Sequence, residues 1–163
     1  MGRWRPPPPS SSPYITPAGF DALQSELDEL WRRRRDVVKA LAAAAAEGDR
    51  SENAEYIYRK KELGGLDHRI HYLQKRLPNL TVVRESPDGD AIYFGATVEL
   101  RNERGETLTY RIVGPDETDP KRQAISMDSP LAKALRSRRV GDDVDVKTGE
   151  RLQTLRVLSI RYR

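Results

Sequence analysis

The 163-residue chain contains no cysteine. Disulfides, thiolate metal sites and cysteine nucleophiles are therefore excluded together, and a reducing cytoplasm is the compartment such usage suits. Histidine is nearly as scarce: the two present, His68 and His71, lie among charged positions without metal-ligand company, so both read as surface residues. No apolar run approaches the ~20 residues a membrane-crossing helix needs, so no membrane partner is expected. The opening segment, Met1-Gly2-Arg3-Trp4-Arg5 followed by Pro6 to Pro9 and Ser10 to Ser12, has basic residues but no apolar core. It is unlike a secretory signal, and residues 1–13 read as a disordered Pro/Ser-rich tail. A strong excess of one charge is missing too: 29 Lys and Arg face 25 Asp and Glu, a formal charge of +4. That balance allows contact with nucleic acid, DNA-binding included, or with an acidic partner, but only through local clusters.

What the chain does have is periodicity. Phe20, Leu23, Leu27, Leu30, Val37 and Leu41 follow alternating steps of three and four, with Arg34 at the interrupted position. Leu63, Leu66, Ile70, Leu73, Leu77 and Leu80 step in the same way, and the register extends back to Arg59 and Tyr56. Two helices joined by a few residues must be antiparallel neighbours, so residues 14–80 read as a coiled-coil arm. Helices of about 28 residues make a rod of roughly 40 Å. Thr16-Pro17 suits an N-cap with proline at the first helical position, Ala42 to Ala46 favours helix, and Gly48 suits the left-handed closing residue. Gly64-Gly65 is the anomaly, because each glycine costs about 1 kcal/mol relative to alanine inside a helix. A softened or kinked arm is expected there.

The bend carries the chemistry. Asp49 and Glu52 are three apart, close enough in a helical start to share one face. Two carboxylates supply only part of the oxygen shell Mg²⁺ demands, and no further acid or histidine converges on them. A partial site makes sense at the end of a rod if another protein's active centre completes it. The same spacing is also a capping box, with Asp49 accepting from the backbone at Glu52 and Glu52 reaching back, and acids there suit the helix dipole. Spacing alone leaves both readings open.

From residue 81 the chain changes character, and 81–163 reads as a compact α+β domain. Strands are expected at Thr81 to Val83, Ala91 to Leu100 and Thr107 to Val113, with Asn102-Glu103-Arg104-Gly105 as a turn. Ala124 to Met127 gives another strand. Ser129-Pro130 opens a helix through Leu135, and Asp143 to Lys147 with Leu152 to Tyr162 forms a terminal hairpin.

The run Glu47 to Tyr56, followed by Tyr58-Arg59-Lys60-Lys61, resembles the tip motif of the bacterial Gre transcript cleavage factors, GreB-type members above all. The likeness extends through Ile15 to Phe20, Glu29-Leu30-Trp31 and Arg69 to Leu73. It continues in Phe94-Gly95-Ala96, Tyr110 to Gly114, Ile125 to Ala132 and Val140-Gly141-Asp142, so nearly everything after residue 13 is covered. The tail and Gly64-Gly65 depart from the pattern. The resemblance implies an antiparallel coiled-coil hairpin inserted into the secondary channel of RNA polymerase, followed by an FKBP-like α+β domain. It implies a monomeric cytoplasmic elongation factor that stimulates cleavage of backtracked nascent RNA by the polymerase's own activity, a catalytic cofactor and not an enzyme.

By that resemblance, Asp49 and Glu52 match the acidic tip pair that helps hold a Mg²⁺ shared with the polymerase, as two-metal hydrolysis requires. Arg59, Lys60 and Lys61 match a basic patch that contacts the RNA 3′ segment, and Asp128, Ser129 and Pro130 belong to a surface that docks on the polymerase. Each has a plainer reading: a solvated face for the basic residues, and helix-start punctuation for Asp128-Ser129-Pro130. Arg32 to Arg35 reads as solvated face, and Tyr56 as seam packing over base stacking. Sparse aromatics, chiefly Tyr93, Phe94, Tyr110 and Tyr162, give little basis for a prolyl pocket, and fold likeness alone licenses no isomerase activity. Two other functions stay open: a non-cleaving regulator in the same channel, and an RNA-binding coiled-coil protein independent of polymerase.

Overall fold

A computed structural model of the chain describes residues 11–48, 53–87 and 89–162. They fall into two compact units: Ala18–Leu80, and the residues up to Pro17 together with those from Thr81 onward.

The first unit is helical. α1 spans Pro17–Ala45 and α2 spans Ala54–Arg76, followed by a single 3₁₀ turn at Leu77–Asn79. Ion pairs across the helices give their direction. Glu26 meets Arg69 at 2.9 Å and Arg33 meets Glu62 at 2.9 Å, so as the α1 partner's number rises the α2 partner's falls. The pair is antiparallel. Its seam is the heptad pattern: Leu23, Val37, Ala44, Ile70 and Leu73 are buried, while Phe20, Leu27, Leu30, Leu41, Leu63, Leu66, Leu77 and Leu80 are half-buried. Two helices alone cannot enclose a seam on every side, which explains the partial burial. Arg34, at the interrupted position, turns its guanidinium to Asp67 at 2.6 Å and lies 5.9 Å from the centre of the Trp31 ring.

The expected break at Gly64-Gly65 is absent, since α2 continues through both residues. They are exposed, and a Cβ at either would meet nothing within 4 Å. Neighbouring Leu63 and Leu66 keep their half-buried seam positions, so the helix tolerates the pair.

The second unit is α+β. β1 (Tyr14–Ile15) pairs in parallel with β2 (Thr81–Val82), and Ile15 is fully buried. The arm therefore begins later than residue 14, because backbone pairing holds Tyr14 and Ile15 in this unit. Ser11 to Pro13 are part of it as well: the Pro13 carbonyl accepts from Thr81 N at 2.7 Å. The remainder of the expected disordered tail, residues 1–10, lies outside the described residues.

β3 (Ala96–Arg101), β4 (Thr107–Val113), β5 (Ala124–Ser126), β6 (Asp143–Thr148) and β7 (Arg151–Tyr162) form one sheet in the order β5-β4-β3-β7-β6. All neighbours are antiparallel except β4 and β5. β3 starts at Ala96, later than the sequence suggested, and Ala91 makes only an isolated bridge to Arg139. The β3–β4 turn is closed by the Asn102 side chain, whose Oδ1 accepts from Arg104 N at 3.0 Å and Glu106 N at 2.9 Å. α3 (Pro130–Leu135) lays Ala132 and Leu135 on a core of Ile92, Val98, Leu100, Val144 and Val157.

Candidate functional site: the bend of the helical hairpin and the basic face below it

α1 ends at Ala45, and Ala46 N and Glu47 N reach back to the carbonyls of Ala42 and Ala44, each at 3.2 Å. Gly48 follows with φ of +137°, a conformation L side chains rarely adopt. On the far side, Asn53 is the N-cap of α2: its Oδ1 accepts from Tyr56 N at 3.1 Å. Its Nδ2 donates to the Ala44 carbonyl at 2.7 Å, so one side chain caps α2 and ties it to the end of α1. The N-cap of α2 is therefore Asn53. Asp49 and Glu52 themselves lie outside the described residues. Asn53 was missed in the sequence although asparagine is a preferred cap, because the acidic pair upstream offered a competing box.

Among the described residues, no group of three or more His, Cys, Asp or Glu could hold a metal. His68 and His71 are exposed on α2. Any oxygen shell at the bend would depend on Asp49 and Glu52 and on donors from elsewhere.

Below the bend, Arg59 departs from the exposed basic residue expected of an RNA contact. It is half-buried and committed to two carboxylates, Glu55 at 2.8 Å and Glu62 at 3.0 Å. The hydrogen bond it donates to Glu55, and then the one it donates to Glu62, raise its pKa above the ordinary value. Glu62 also bridges to Arg33, whose hydrogen bond is the main cause holding the Glu62 carboxyl below its usual range. Lys60 and Lys61 are exposed. Tyr56 is half-buried, as seam packing requires, whereas Ile57 and Tyr58 are 53% and 59% exposed. The Arg59 guanidinium carbon sits 5.4 Å from the Tyr58 ring centre. Sequence periodicity places Tyr58 off the seam and Tyr56 on it, in keeping with their exposures. In the run Arg32 to Arg35, Arg32 pairs with Glu29, Arg33 with Glu62 and Arg34 with Asp67, so most of it serves the arm itself.

In the sheet unit, Ser129 caps α3, its hydroxyl accepting from Ala132 N at 3.2 Å, and Pro130 follows exposed at the first turn. The Asp128 carboxylate accepts from Ser12 N at 2.9 Å and from the Ser12 hydroxyl, while Asp128 N donates to Ser126 Oγ at 3.0 Å. A groove of about 560 Å³ runs beside this loop, lined by Tyr14, Ile92, Tyr93, Phe94, Met127 and Asp128. Tyr14 joins from outside the domain range expected, which is why the aromatics looked too sparse for a pocket. Glu117 was also missed: its carboxylate accepts from Thr16 N at 2.8 Å, from the Thr16 hydroxyl and from Gly114 N at 2.9 Å.

Comparison with known proteins covers both units. The family model "Transcription elongation factor, N-terminal" matches residues 13–82, and "Transcription elongation factor, GreA/GreB, C-term" matches residues 86–162. A transcription elongation factor GreB of Xanthomonas axonopodis pv. citri (strain 306) is 58% identical, covering 99% of this chain and 98% of its own. Its counterpart in Pseudomonas aeruginosa is 53% identical, covering 93% of each. A solved structure of the transcription factor Gfh1 is 28% identical over 94% of this chain and 99% of its own, with a TM-score of 0.46.

Proposed function

Because this chain belongs to the GreA/GreB family of transcription elongation factors, we propose that it stimulates cleavage of backtracked nascent RNA by RNA polymerase, entering the secondary channel with its helical hairpin. The observation that carries this reading is the cap at Asn53. α2 has its own N-cap in Asn53 and α1 has ended before Gly48, so the N-cap position of α2 is filled without either acid. The connection that carries the two acids is flanked by helix ends tied together through Asn53 and Ala44.

In this reading Asp49 and Glu52 donate carboxylate oxygens to a Mg²⁺ whose remaining ligands come from the polymerase and the RNA. The donor set fits such a shared ion, because hard oxygen ligands suit Mg²⁺ and two of them leave most of an octahedral shell open. When bound, the ion stabilises charge on the attacking and leaving oxygens of phosphodiester hydrolysis. The chain's own contributions are to carry the carboxylates between the two helix ends and to present them to the reacting phosphate. Lys60 and Lys61, exposed one to two turns below the bend, neutralise phosphates of the RNA 3′ segment, with Arg59 supporting the face through Glu55 and Glu62. Asp128, Ser129 and Pro130 dock on the polymerase, where the pinned loop offers a preformed surface. The factor acts as a cytoplasmic monomer.

The test is RNA shortening in a stalled, backtracked elongation complex. Wild-type protein should accelerate it, Asp49→Asn should abolish the acceleration, and the variant should still compete with wild type for polymerase. Binding of the wild type without any acceleration would point to a non-cleaving regulator of the same channel.

A further inference from the structure

The N-terminal segment joins the sheet unit beside an open aromatic groove. Ser12 is fastened there, its N and its hydroxyl both donating to the Asp128 carboxylate, and Ser12 and Tyr14 line the groove of about 560 Å³ themselves. That volume lies within the range of pockets that take a ligand. Among the other lining residues, Phe94 and Met127 are half-buried and Ile92 is fully buried, whereas Tyr14 is 42% and Tyr93 40% exposed. The Tyr14 and Phe94 rings stand 6.5 Å apart and tilted by 54°, so their faces are not closed on each other in a stack. The groove therefore leaves ring surface in water beside the place where the chain enters.

Residues 1–10 lie outside the described residues, but their sequence is specific: Arg3-Trp4-Arg5 and then four consecutive prolines, Pro6 to Pro9. Each proline fixes φ near −65° and has no amide donor, so such a run favours the polyproline II helix and loses little entropy on being held. Aromatic-lined grooves recognise segments of this kind, because ring faces pack on the pyrrolidine rings. Position adds to chemistry. Pro9 is three residues from Ser12, a reach of at most ~10 Å, and a short tether supplies an effective concentration in the millimolar range. Even a weak contact is then occupied. From Ser10 back to Arg5 a polyproline II segment advances about 16 Å, which lets Arg3 and Arg5 clear Lys133 and Arg136, the cations from α3 and its end that also line the groove.

We propose that Pro6 to Pro9 dock in this groove of their own chain, as an intramolecular ligand whose pyrrolidine rings pack on Tyr14, Tyr93 and Phe94. The short tether selects the same molecule over a second copy. Seated there, the tail covers the ring surface next to the Asp128–Pro130 loop, so a protein that docks on that loop competes with it. The assignment needs no polymerase and stands apart from the cleavage reading.

Methionine occurs only at positions 1 and 127, so isotopic labelling of methionine methyls gives the full chain one reporter in the tail and one in the groove. The experiment follows the Met127 methyl signal by NMR in the wild type and in a full-chain variant combining Pro6→Ser, Pro7→Ser, Pro8→Ser and Pro9→Ser. The signal should move in the variant, because the pyrrolidine rings leave the groove, while the melting temperature stays unchanged. A synthetic peptide with the sequence of residues 2–10, added to the variant, should return the signal to its wild-type position. Adding Tyr93→Ser to the variant should abolish that response. Restoration by the free peptide is the readout that a merely structural effect of the serines would not give. A Met127 signal unmoved by the four serines overturns the proposal, as does a variant that ignores the peptide. A wild-type signal that drifts to the variant's position on dilution also overturns it, because the occupant would then be the tail of a second copy.

Discussion

The two units solve the problem of staying folded differently. The sheet unit encloses its apolar residues: Ile92, Val98, Leu100, Leu135 and Val157 are at most 1% exposed, held between the sheet and α3. The helical unit has a seam two helices wide, where Val37 and Leu73 are fully buried but most heptad leucines remain half-exposed. It supplements that seam with ion pairs from Arg33, Arg34 and Arg69. Exposed pairs of this kind contribute little individually. Their value lies in register, since each links a particular turn of one helix to a particular turn of the other. The enclosed unit is built for stability, and the narrow one for slenderness with a fixed alignment at the bend.

Leu135→Ala should have the largest effect, about 3–5 kcal/mol, because the cavity it leaves is bounded on all sides. Leu73→Ala should cost less, about 2–3 kcal/mol, since two helices can close on the space. Urea denaturation of both variants measures the difference, and equal losses would break the contrast between an enclosed core and an open seam. Asn53→Ala should cost about 1 kcal/mol and be felt in the arm alone, as a cap loss is.

The smallest effect concerns acid. The Glu62 carboxyl is held below its ordinary value near 4.5, chiefly by the hydrogen bond from Arg33, against opposing desolvation and with help from Arg59. A lowered folded pKa contributes stability that is present above the unfolded value and is lost as pH falls through the folded one. The arm's helicity should therefore decline on acidification below about pH 4.5, and less so in Glu62→Gln. Asp143 is lowered in the same sense by Arg156 on the neighbouring strand, so Asp143→Asn is the matching control in the sheet unit. High salt should imitate acid in the arm more than in the sheet unit, which circular dichroism can follow.

Much of this was legible in the sequence because local rules suffice for it. The heptad residues, the bend near Gly48, the helix start at Ser129-Pro130 and the terminal hairpin all follow from periodicity and turn chemistry. What was hidden depends on residues far apart in the chain. Nothing near Thr16 announces Glu117, and nothing near Ser12 announces Asp128. The need for glycine at 114 is equally long-range: a Cβ there would lie 2.0 Å from the Tyr14 carbonyl oxygen. For the candidate site, spacing alone set Asp49 and Glu52 between metal binding and capping, and only the observed cap at Asn53 weighs on the choice. For Arg59 the sequence did not show that its charge is answered by Glu55 and Glu62.

The central claim is that the acids at the bend serve a shared metal and not the helix end. The direct measurement is the Mg²⁺ dependence of stimulated RNA cleavage in a backtracked complex, for wild type and Glu52→Gln, beside thermal unfolding of the free proteins. The account predicts a half-maximal Mg²⁺ concentration raised about 10-fold or more in the variant, as loss of one carboxylate ligand implies, with an unchanged melting temperature. An unchanged Mg²⁺ dependence together with a lowered melting temperature would contradict it.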